Sequence, residues 1–183
     1  MDLLNLCGGI PSPDITGLRV EIFATFASAF AVKISCDQYE ASRSLDFSIG
    51  RIDNNYLFVN TPSQGLGTHL FLNQVQAARA LGFRRIHVTA MAPSEDEPEW
   101  NGHYFWACLG FHNAEQEEYR EWAAEMGRDE PTLHALVQTE EGRALWKATG
   151  VTWIGDFFLE GEPDCIARLK THLQRKGIDV TIH

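Results

Sequence analysis

The sequence lacks the features of a metal-binding, nucleic-acid-binding or membrane-spanning chain. Its four cysteines lie far apart, with no CxxC pair and no Cys/His spacing typical of a zinc site. Lys and Arg total 15 against 25 Asp and Glu, a formal net charge of −10, so a phosphate backbone would find no basic excess to bind. No apolar run reaches the roughly 18 residues that span a bilayer. We therefore expect no metal, no nucleic acid and no membrane among its partners.

The sequence also lacks a secretion signal and three common catalytic motifs. Its first residues carry neither a basic segment nor a continuous apolar stretch, which predicts a cytoplasmic protein with reduced cysteines. The P-loop, the G-x-S-x-G elbow of hydrolases and the H-E-x-x-H zinc helix are absent. The acidic net charge is compatible with a cationic substrate such as an amine.

The composition that remains is that of a globular protein. Hydrophobic residues make up 44% of the 183 positions and charged residues 22%. This length is enough for one well-filled core and short for two. The sequence therefore predicts a single domain over residues 1–183.

The first third of the chain is rich in strand signals. The segment Gly17–Cys36 favours strand in its first half, and it fits one bent strand, two strands, or a strand followed by a helix. Ser44–Ile52 alternates apolar and polar residues at period two, which predicts a half-buried strand. Asp53–Asn55 is typical of a turn, and Tyr56–Asn60 would then pair with the preceding strand as a hairpin.

A glycine-containing loop follows Asn60 and leads into a segment with helical spacing. Apolar residues recur at helical intervals up to Leu81, and Gly82 stands where a glycine ends a helix. Arg84–Met91 then predicts a central strand. The order strand, loop, helix, strand predicts a βαβ unit with parallel pairing.

The rest of the chain predicts mainly helices. His103–Phe111 predicts a short helix, and residues 112–150 form a charged, helical stretch. Thr152–Gly161 predicts a strand. A final helix is expected with Pro163 in its first turn and Gly177 after its end.

The glycine loop resembles a known family motif. The residues Q-G-L-G-T-H, Gln64–His69, are similar to motif A of the GCN5-related N-acetyltransferases (the GNAT superfamily), Q/R-x-x-G-x-G/A between a strand and a helix. The later "HYFWACLGF" and "ARALGFRRIHVTA" agree with the same family pattern. The resemblance implies an α+β fold, with a mixed, mostly antiparallel twisted sheet flanked by helices. A helical insertion at about 112–150 would precede the C-terminal strand and helix.

The resemblance also implies acetyl-CoA or another acyl-CoA as co-substrate and an amine, small molecule or protein, as acceptor. Backbone N–H groups at a helix N-terminus are unsatisfied and favour a diphosphate, and glycine leaves the space open. The pantetheine arm would lie along the preceding strand, with a backbone N–H near Val59 stabilising the oxyanion. The residues implied in binding the co-substrate are Phe58, Val59, Gln64, Gly65, Leu66, Gly67, Thr68 and His69.

His69 departs from the family pattern, which has a small residue at that position. Its imidazole either crowds the phosphates or donates a hydrogen bond to them, and both alternatives stay open at the level of sequence. The interpretation of Gln64–His69 as a plain tight turn before a helix is the structural alternative.

The candidate catalytic residues are Tyr104 and His103. The family often has a tyrosine four residues before its closing glycine, which protonates the leaving thiolate. Counting back from Gly110 places Trp106 there, and an indole has no acid chemistry. Tyr104 lies two residues earlier, on another helical face, and His103 is its neighbour. A packed aromatic and a solvated loop histidine are the structural alternatives.

Two further function classes stay open. The departures at His69 and Trp106 also fit a GNAT-like protein that has lost catalysis and acts in binding or regulation. A fold of this type could carry a different acyl-CoA or acyl-carrier reaction. The insertion would either cap the acceptor site or form a homodimer contact, burying Trp122 or Trp146.

Two other features carry less weight. One is a group of acidic residues in a predicted loop, Glu95, Asp96, Glu97 and Glu99. This acidic group would either steer a cationic substrate or simply be solvated. His87 lies within the predicted strand Arg84–Met91; it would either face a cleft or be structural, and we interpret it as structural.

Overall fold

The computed structural model describes residues 3–9, 16–26, 28–60, 65–98, 100–114, 116–179 and 182. The chain forms two compact units, residues 1–86 (unit 1) and 87–182 (unit 2). Gln64, from the predicted co-substrate site, and Glu99, from the acidic group, lie outside the described residues. The prediction of a single domain stays a prediction.

In its described residues, unit 1 is an antiparallel meander with two helices. Its strands are ordered β1-β2-β3-β4, and each neighbouring pair is antiparallel. The elements are α1 (Leu3–Leu6), β1 (Arg19–Phe26), β2 (Ala29–Ser35), β3 (Tyr39–Asp46), β4 (Arg51–Val59) and α2 (Leu66–Ala80). Of the alternatives for Gly17–Cys36, the structure therefore has two strands.

The predicted strand Ser44–Ile52 and the predicted turn Asp53–Asn55 are wrong. The chain turns between β3 and β4, at 47–50, where Gly50 has a left-handed φ of 63°. Asp46 stabilises this turn, because its Oδ1 accepts hydrogen bonds from the Ser48 backbone N–H at 2.9 Å and from the Ser48 hydroxyl at 2.6 Å. In the sequence, the period-two alternation of apolar and polar residues continues through residues 47–50. The pattern therefore did not indicate a turn there.

Asn54 explains why turn-forming residues occur inside β4. Its side chain is 7% exposed and exchanges two hydrogen bonds with the Gln74 amide of α2, at 3.0 and 2.8 Å. Gln74 also donates to the Leu6 carbonyl at 2.9 Å. A buried amide is tolerated when it is fully paired, and this network holds strand, helix and α1 together.

The core of unit 1 lies between the meander and α2. Side chains of β3 alternate between buried and half-buried, as expected of a strand with one covered face. The buried apolar residues include Val32, Ile34, Ala41, Leu45, Ile52, Leu70, Phe71, Val75 and Ala78.

The end of α2 confirms the prediction for Gly82. This glycine has a φ of 76°, its N–H donates to the Arg79 carbonyl at 3.0 Å, and the Phe83 N–H donates to the Ala78 carbonyl at 2.9 Å. These two bonds form a Schellman motif, which requires a left-handed residue after the helix.

Unit 2 combines short strands with five helices among the described residues. The strand order is β5-β7-β6, and β6 pairs antiparallel with β7. The elements are β5 (Arg85–Ala90, beginning at the boundary between the units), α3 (Gly102–Cys108), β6 (His112–Asn113), α4 (Gln116–Glu125), α5 (Leu133–Leu136), α6 (Glu140–Thr149), β7 (Trp153–Phe158) and α7 (Cys165–Arg175). The predicted helical stretch at 112–150 thus holds α4, α5 and α6 before the C-terminal strand and helix.

The start of α7 corrects the position predicted for Pro163. Asp164 is the N-cap, because its carboxylate accepts a hydrogen bond from the Ala167 N–H at 2.8 Å. Pro163 therefore precedes the helix and does not lie in its first turn. Gly177 follows the helix with a φ of 67°, as predicted.

Trp146 is the centre of the core of unit 2. It is 0% exposed, and its ring packs edge-on against Trp122 at 4.7 Å between centroids. The Trp146 indole donates to the His103 carbonyl at 3.0 Å. Both tryptophans of the insertion are thus buried within unit 2 itself.

The class of the fold is α+β, with a mostly antiparallel sheet flanked by helices, as predicted. No helix in the described ranges is long and apolar enough to cross a bilayer. The four cysteines are free thiols, and the described residues contain no group of His, Cys, Asp and Glu suited to a metal ion.

We expect Gly142→Ala to destabilise the protein, although alanine normally favours a helix over glycine by about 1 kcal/mol. A Cβ at Gly142 would stand 2.1 Å from the Leu136 carbonyl oxygen and 2.8 Å from the Thr139 hydroxyl. Overpacking of this kind costs about 1 to 3 kcal/mol of unfolding free energy. Chemical denaturation measures it.

The control is Ala144→Gly, at an exposed position of the same helix. It should cost about 1 kcal/mol through helix propensity alone. A Gly142→Ala variant more stable than the wild type would contradict the close contact.

Candidate functional site

The N-terminus of α2 presents backbone donors next to a left-handed glycine. The N-cap Gly65 has a φ of 78° and makes no side-chain cap, and the first turn of α2 contains no acidic residue. The first helical hydrogen bond runs from the His69 N–H to the Gly65 carbonyl, at 3.1 Å. The N–H groups of Leu66, Gly67 and Thr68 precede it and have no acceptor within the helix. An anion placed there would gain both donors and the helix dipole.

His69 lies close to this turn. Its side chain is exposed, and its Cδ2 atom lies 4.0 Å from the position that a Cβ on Gly65 would occupy. An imidazole in that place can contact an anion at the turn. Steric crowding of a bound anion and hydrogen-bond donation to it therefore both remain as alternatives for the effect of His69.

The end of β4 directs one backbone N–H away from the meander. Val59 stands opposite Tyr39 of β3, and the Asn60 N–H donates to the Gln38 carbonyl at 2.9 Å. Because successive residues of a strand point their N–H groups to opposite edges, the N–H of Val59 points away from β3 and that of Phe58 toward it. The Tyr39 carbonyl is consistent with this orientation. It points away from Val59 and accepts a hydrogen bond from the Cys36 N–H at 2.9 Å. Phe58 and Val59 are both half-buried.

His103 is a core histidine. It is 1% exposed, and its Nε2 lies 3.1 Å from the Trp146 carbonyl oxygen. Burial is the main cause that lowers the pKa of this imidazole. Its Nδ1 has no hydrogen-bond partner in the described part of the chain. The alternative of a solvated loop histidine is therefore wrong.

Tyr104 is half-buried on α3, beside α6. Burial, followed by the neighbouring Cys108, raises the pKa of Tyr104 to about 12, against the opposing charges of Arg143 and Arg175. The Lys147 ammonium lies 5.7 Å from the centre of its ring. The phenol is therefore protonated at neutral pH and is a weaker acid than an exposed tyrosine.

Trp106 lies on another face of α3. It is 7% exposed and packs against the rings of Phe105 and Phe111, with centroids at 4.8 and 5.2 Å. Residues two apart on a helix do not share a face, and α3 is helical from Gly102 to Cys108. Tyr104 therefore does not replace Trp106 in space.

The structure also pairs His87, interpreted from the sequence as structural, with a carboxylate that sequence analysis did not single out. The Nδ1 atom of His87 on β5 lies 2.9 Å from Oδ1 of Asp156 on β7. The Asp156 side chain is 11% exposed and that of His87 23%. A carboxylate beside Nδ1 orients the ring with that nitrogen as donor and leaves Nε2 as the acceptor, the arrangement of a general base. The two residues are 69 positions apart, and neither lies in a motif, so no sequence signal joins them.

Comparisons with known proteins give little further information. No family model and no curated protein matches the chain. Among solved structures, the chain is similar to the crystal structure of nourseothricin acetyltransferase. The sequence identity is 12% and the TM-score 0.37, over 55% of this chain and 72% of that chain. A similarity at this level decides no function for this chain.

Proposed function

We propose that the chain is an acyl-CoA-dependent N-acyltransferase of the GNAT type, which transfers an acetyl or other acyl group from a thioester to an amine. The observation that carries the proposal is the N-terminus of α2. Gly65 adopts a left-handed conformation there, no side chain caps the helix, and no acid occupies its first turn. A helix start of this kind suits a bound diphosphate.

The residues of the turn fit the diphosphate of coenzyme A. The N–H groups of Leu66, Gly67 and Thr68 supply the donors, and the absence of a Cβ at Gly65 lets the phosphates approach. A left-handed backbone at that position is strained for any L side chain. The exposed His69 would lie at the rim of the same turn.

In the proposed reaction, the amine nitrogen forms a bond to the acyl carbon, and the carbon–sulfur bond breaks. A general base takes the proton that the amine loses, directly or through a water molecule, and the departing thiolate takes up a proton. Within unit 1, the N–H of Val59 is the proposed donor to the oxyanion on the acyl oxygen. Within unit 2, His87 oriented by Asp156 is the proposed base and Tyr104 the proposed acid, and each is tested by its own variant. The thioester supplies the activated acyl group, and the chain's residues position it and move protons.

Trp106 favours a second candidate function. The position at which the family often has its acid carries a buried indole, which gives no proton. The second candidate is a GNAT-like binding or regulatory protein without turnover. Unchanged turnover in Tyr104→Phe would remove Tyr104 from the proposal.

The proposal is tested by titrating the folded protein with acetyl-CoA. A ligand that binds only the folded state raises the unfolding midpoint, and enzymes of ordinary affinity are saturated at roughly millimolar substrate. We expect a rise in the midpoint and a matching heat of binding by calorimetry. No change in either at that concentration would contradict the proposal.

The proposed enzyme acts in the cytoplasm on an amine of a small molecule or of a protein. Its insertion either caps the acceptor site or forms a contact between two copies of the chain. Size-exclusion chromatography with light scattering measures whether two copies associate.

A further inference from the structure

Unit 2 contains a group of cationic side chains, although the chain as a whole is acidic. The group, called here the basic cluster, consists of Arg143 and Lys147 on α6 and Arg175 and Lys176 at the end of α7. Nη1 of Arg143 donates to the Val137 carbonyl at 3.0 Å, and Nη1 of Arg175 donates to the same oxygen at 3.2 Å. Two guanidinium groups that share one neutral acceptor lie within a few ångströms of each other. The two positive charges repel each other, and the neutral Val137 carbonyl does not offset this repulsion.

Among the described residues, no carboxylate forms an ion pair within 4.0 Å of these two arginines, Arg143 and Arg175. Arg143 makes a second bond to the Gln138 carbonyl, at 2.9 Å. Each guanidinium has five N–H donors, so most of them remain for another acceptor.

His172 is the second observation that points to a ligand. It is 7% exposed, and its Nε2 has no hydrogen-bond partner within the described part of the chain. It precedes Arg175 and Lys176 by three and four residues on α7, so these side chains share one helical face. A buried polar atom without a partner is costly, and an anion bound among the arginines would offer it one.

The charges of the cluster act on His172 and on neighbouring groups of α3. Burial, and then the charges of Arg175, Lys176 and Arg143, hold the pKa of His172 at about 4. The same two arginines act on Tyr104 and Cys108. The cluster therefore produces a positive potential beside Tyr104.

We propose that Arg143, Arg175 and His172 form a binding site for an oxyanion, a phosphate or carboxylate group, beside Tyr104 in unit 2. The guanidinium forks supply paired donors of the geometry that such groups accept. Lys147 and Lys176 lie at exposed positions and add positive charge near the site. The proposal does not depend on the proposed acyl transfer.

A purely structural role is the alternative. Val137 and Gln138 follow the short helix α5, and the arginines would then only cap its last carbonyls. That role predicts a loss of stability in variants but no response to anions.

The experiment measures binding of inorganic phosphate, and in a second arm succinate, by calorimetry at constant ionic strength set with chloride. Phosphate binding by the wild type is expected, and a stronger response to succinate would assign a carboxylate instead. The double variant Arg143→Gln, Arg175→Gln should weaken the affinity at least about tenfold, because it removes charge-assisted bonds. The control is Arg120→Gln, Lys170→Gln, which removes the same charge at two exposed positions that are not members of the cluster. Its affinity should equal that of the wild type.

The proposal is overturned if neither anion binds the wild type, or if the double variant and the control bind equally. Should the double variant fail to fold, the imidazole nitrogen signals of His172 in the wild-type protein decide. Phosphate should shift them, and chloride at equal ionic strength should not. Neither measurement uses acyl-CoA, so its result is independent of the proposed function.

Discussion

Replacement of His87 by Gln should lower turnover of acyl transfer about 10²- to 10⁴-fold, the usual contribution of a general base. Nδ1 of His87 is engaged with Asp156 at 2.9 Å, so the second nitrogen of the ring is the one that accepts a proton. Glutamine keeps hydrogen bonding but accepts no proton at neutral pH. Release of the coenzyme A thiol, with an amine identified by screening, measures the rate.

Two controls separate catalysis from folding. His134→Gln changes another half-buried histidine of unit 2 and should leave the rate within about threefold of the wild type, because it lies outside the proposed chemistry. In His87→Gly, added imidazole should restore part of the rate if the ring acts as a base. A fully active His87→Gln enzyme, or a failure of imidazole at every concentration, would assign His87 to structure alone.

Replacement of His69 by Glu should separate the stability of α2 from its ability to bind an anion. An acid in the first turn of a helix raises the unfolding free energy by about 0.3 to 1 kcal/mol through the helix dipole. The same charge beside a diphosphate is repulsive by more than 1 kcal/mol at short range, so acetyl-CoA affinity should fall at least about tenfold. Denaturation and calorimetry on the same sample measure both effects.

The control is Ala80→Glu, which adds the same charge at the exposed last residue of α2. It should leave acetyl-CoA affinity near that of the wild type. Equal affinities in the two variants would show that no diphosphate lies at the N-terminus of the helix. His69→Gly then decides between the alternatives for the imidazole: tighter binding indicates crowding, and weaker binding indicates donation.

Sequence analysis predicted the elements whose signals are local. Helix α2 and its terminating Gly82 follow from apolar spacing and one glycine, and both are confirmed. The hairpin between β3 and β4 was misplaced, because Asn54 is a turn-forming residue by type. In the folded chain a buried amide pair with Gln74, 20 residues away, holds it in a strand. Local propensity gives no information on such a partner.

The candidate site divides in the same way. The N-terminus of α2 is a contiguous motif and could be found from sequence, whereas the proposed base requires two residues on separate strands. The basic cluster combines residues of α6 and α7 with the carbonyl groups after α5, and in sequence these positions are separated and mixed with acidic residues. Their proximity is a product of folding and has no pattern in the chain.

The buried histidines give the two units different responses to acid. Burial lowers the pKa of four imidazoles below the ordinary value of 6.5, in two of them to about 4, and all four belong to unit 2: His103, His112, His134 and His172. As the pH falls from about 6.5 toward 4, the unfolded chain binds protons that the folded imidazoles do not, so their contribution to stability is present above 6.5 and is lost on acidification. Unit 1 has one described histidine, the exposed His69. Mild acidification would thus weaken unit 2, which carries His87 and Tyr104, and the one described histidine of unit 1 makes no such contribution.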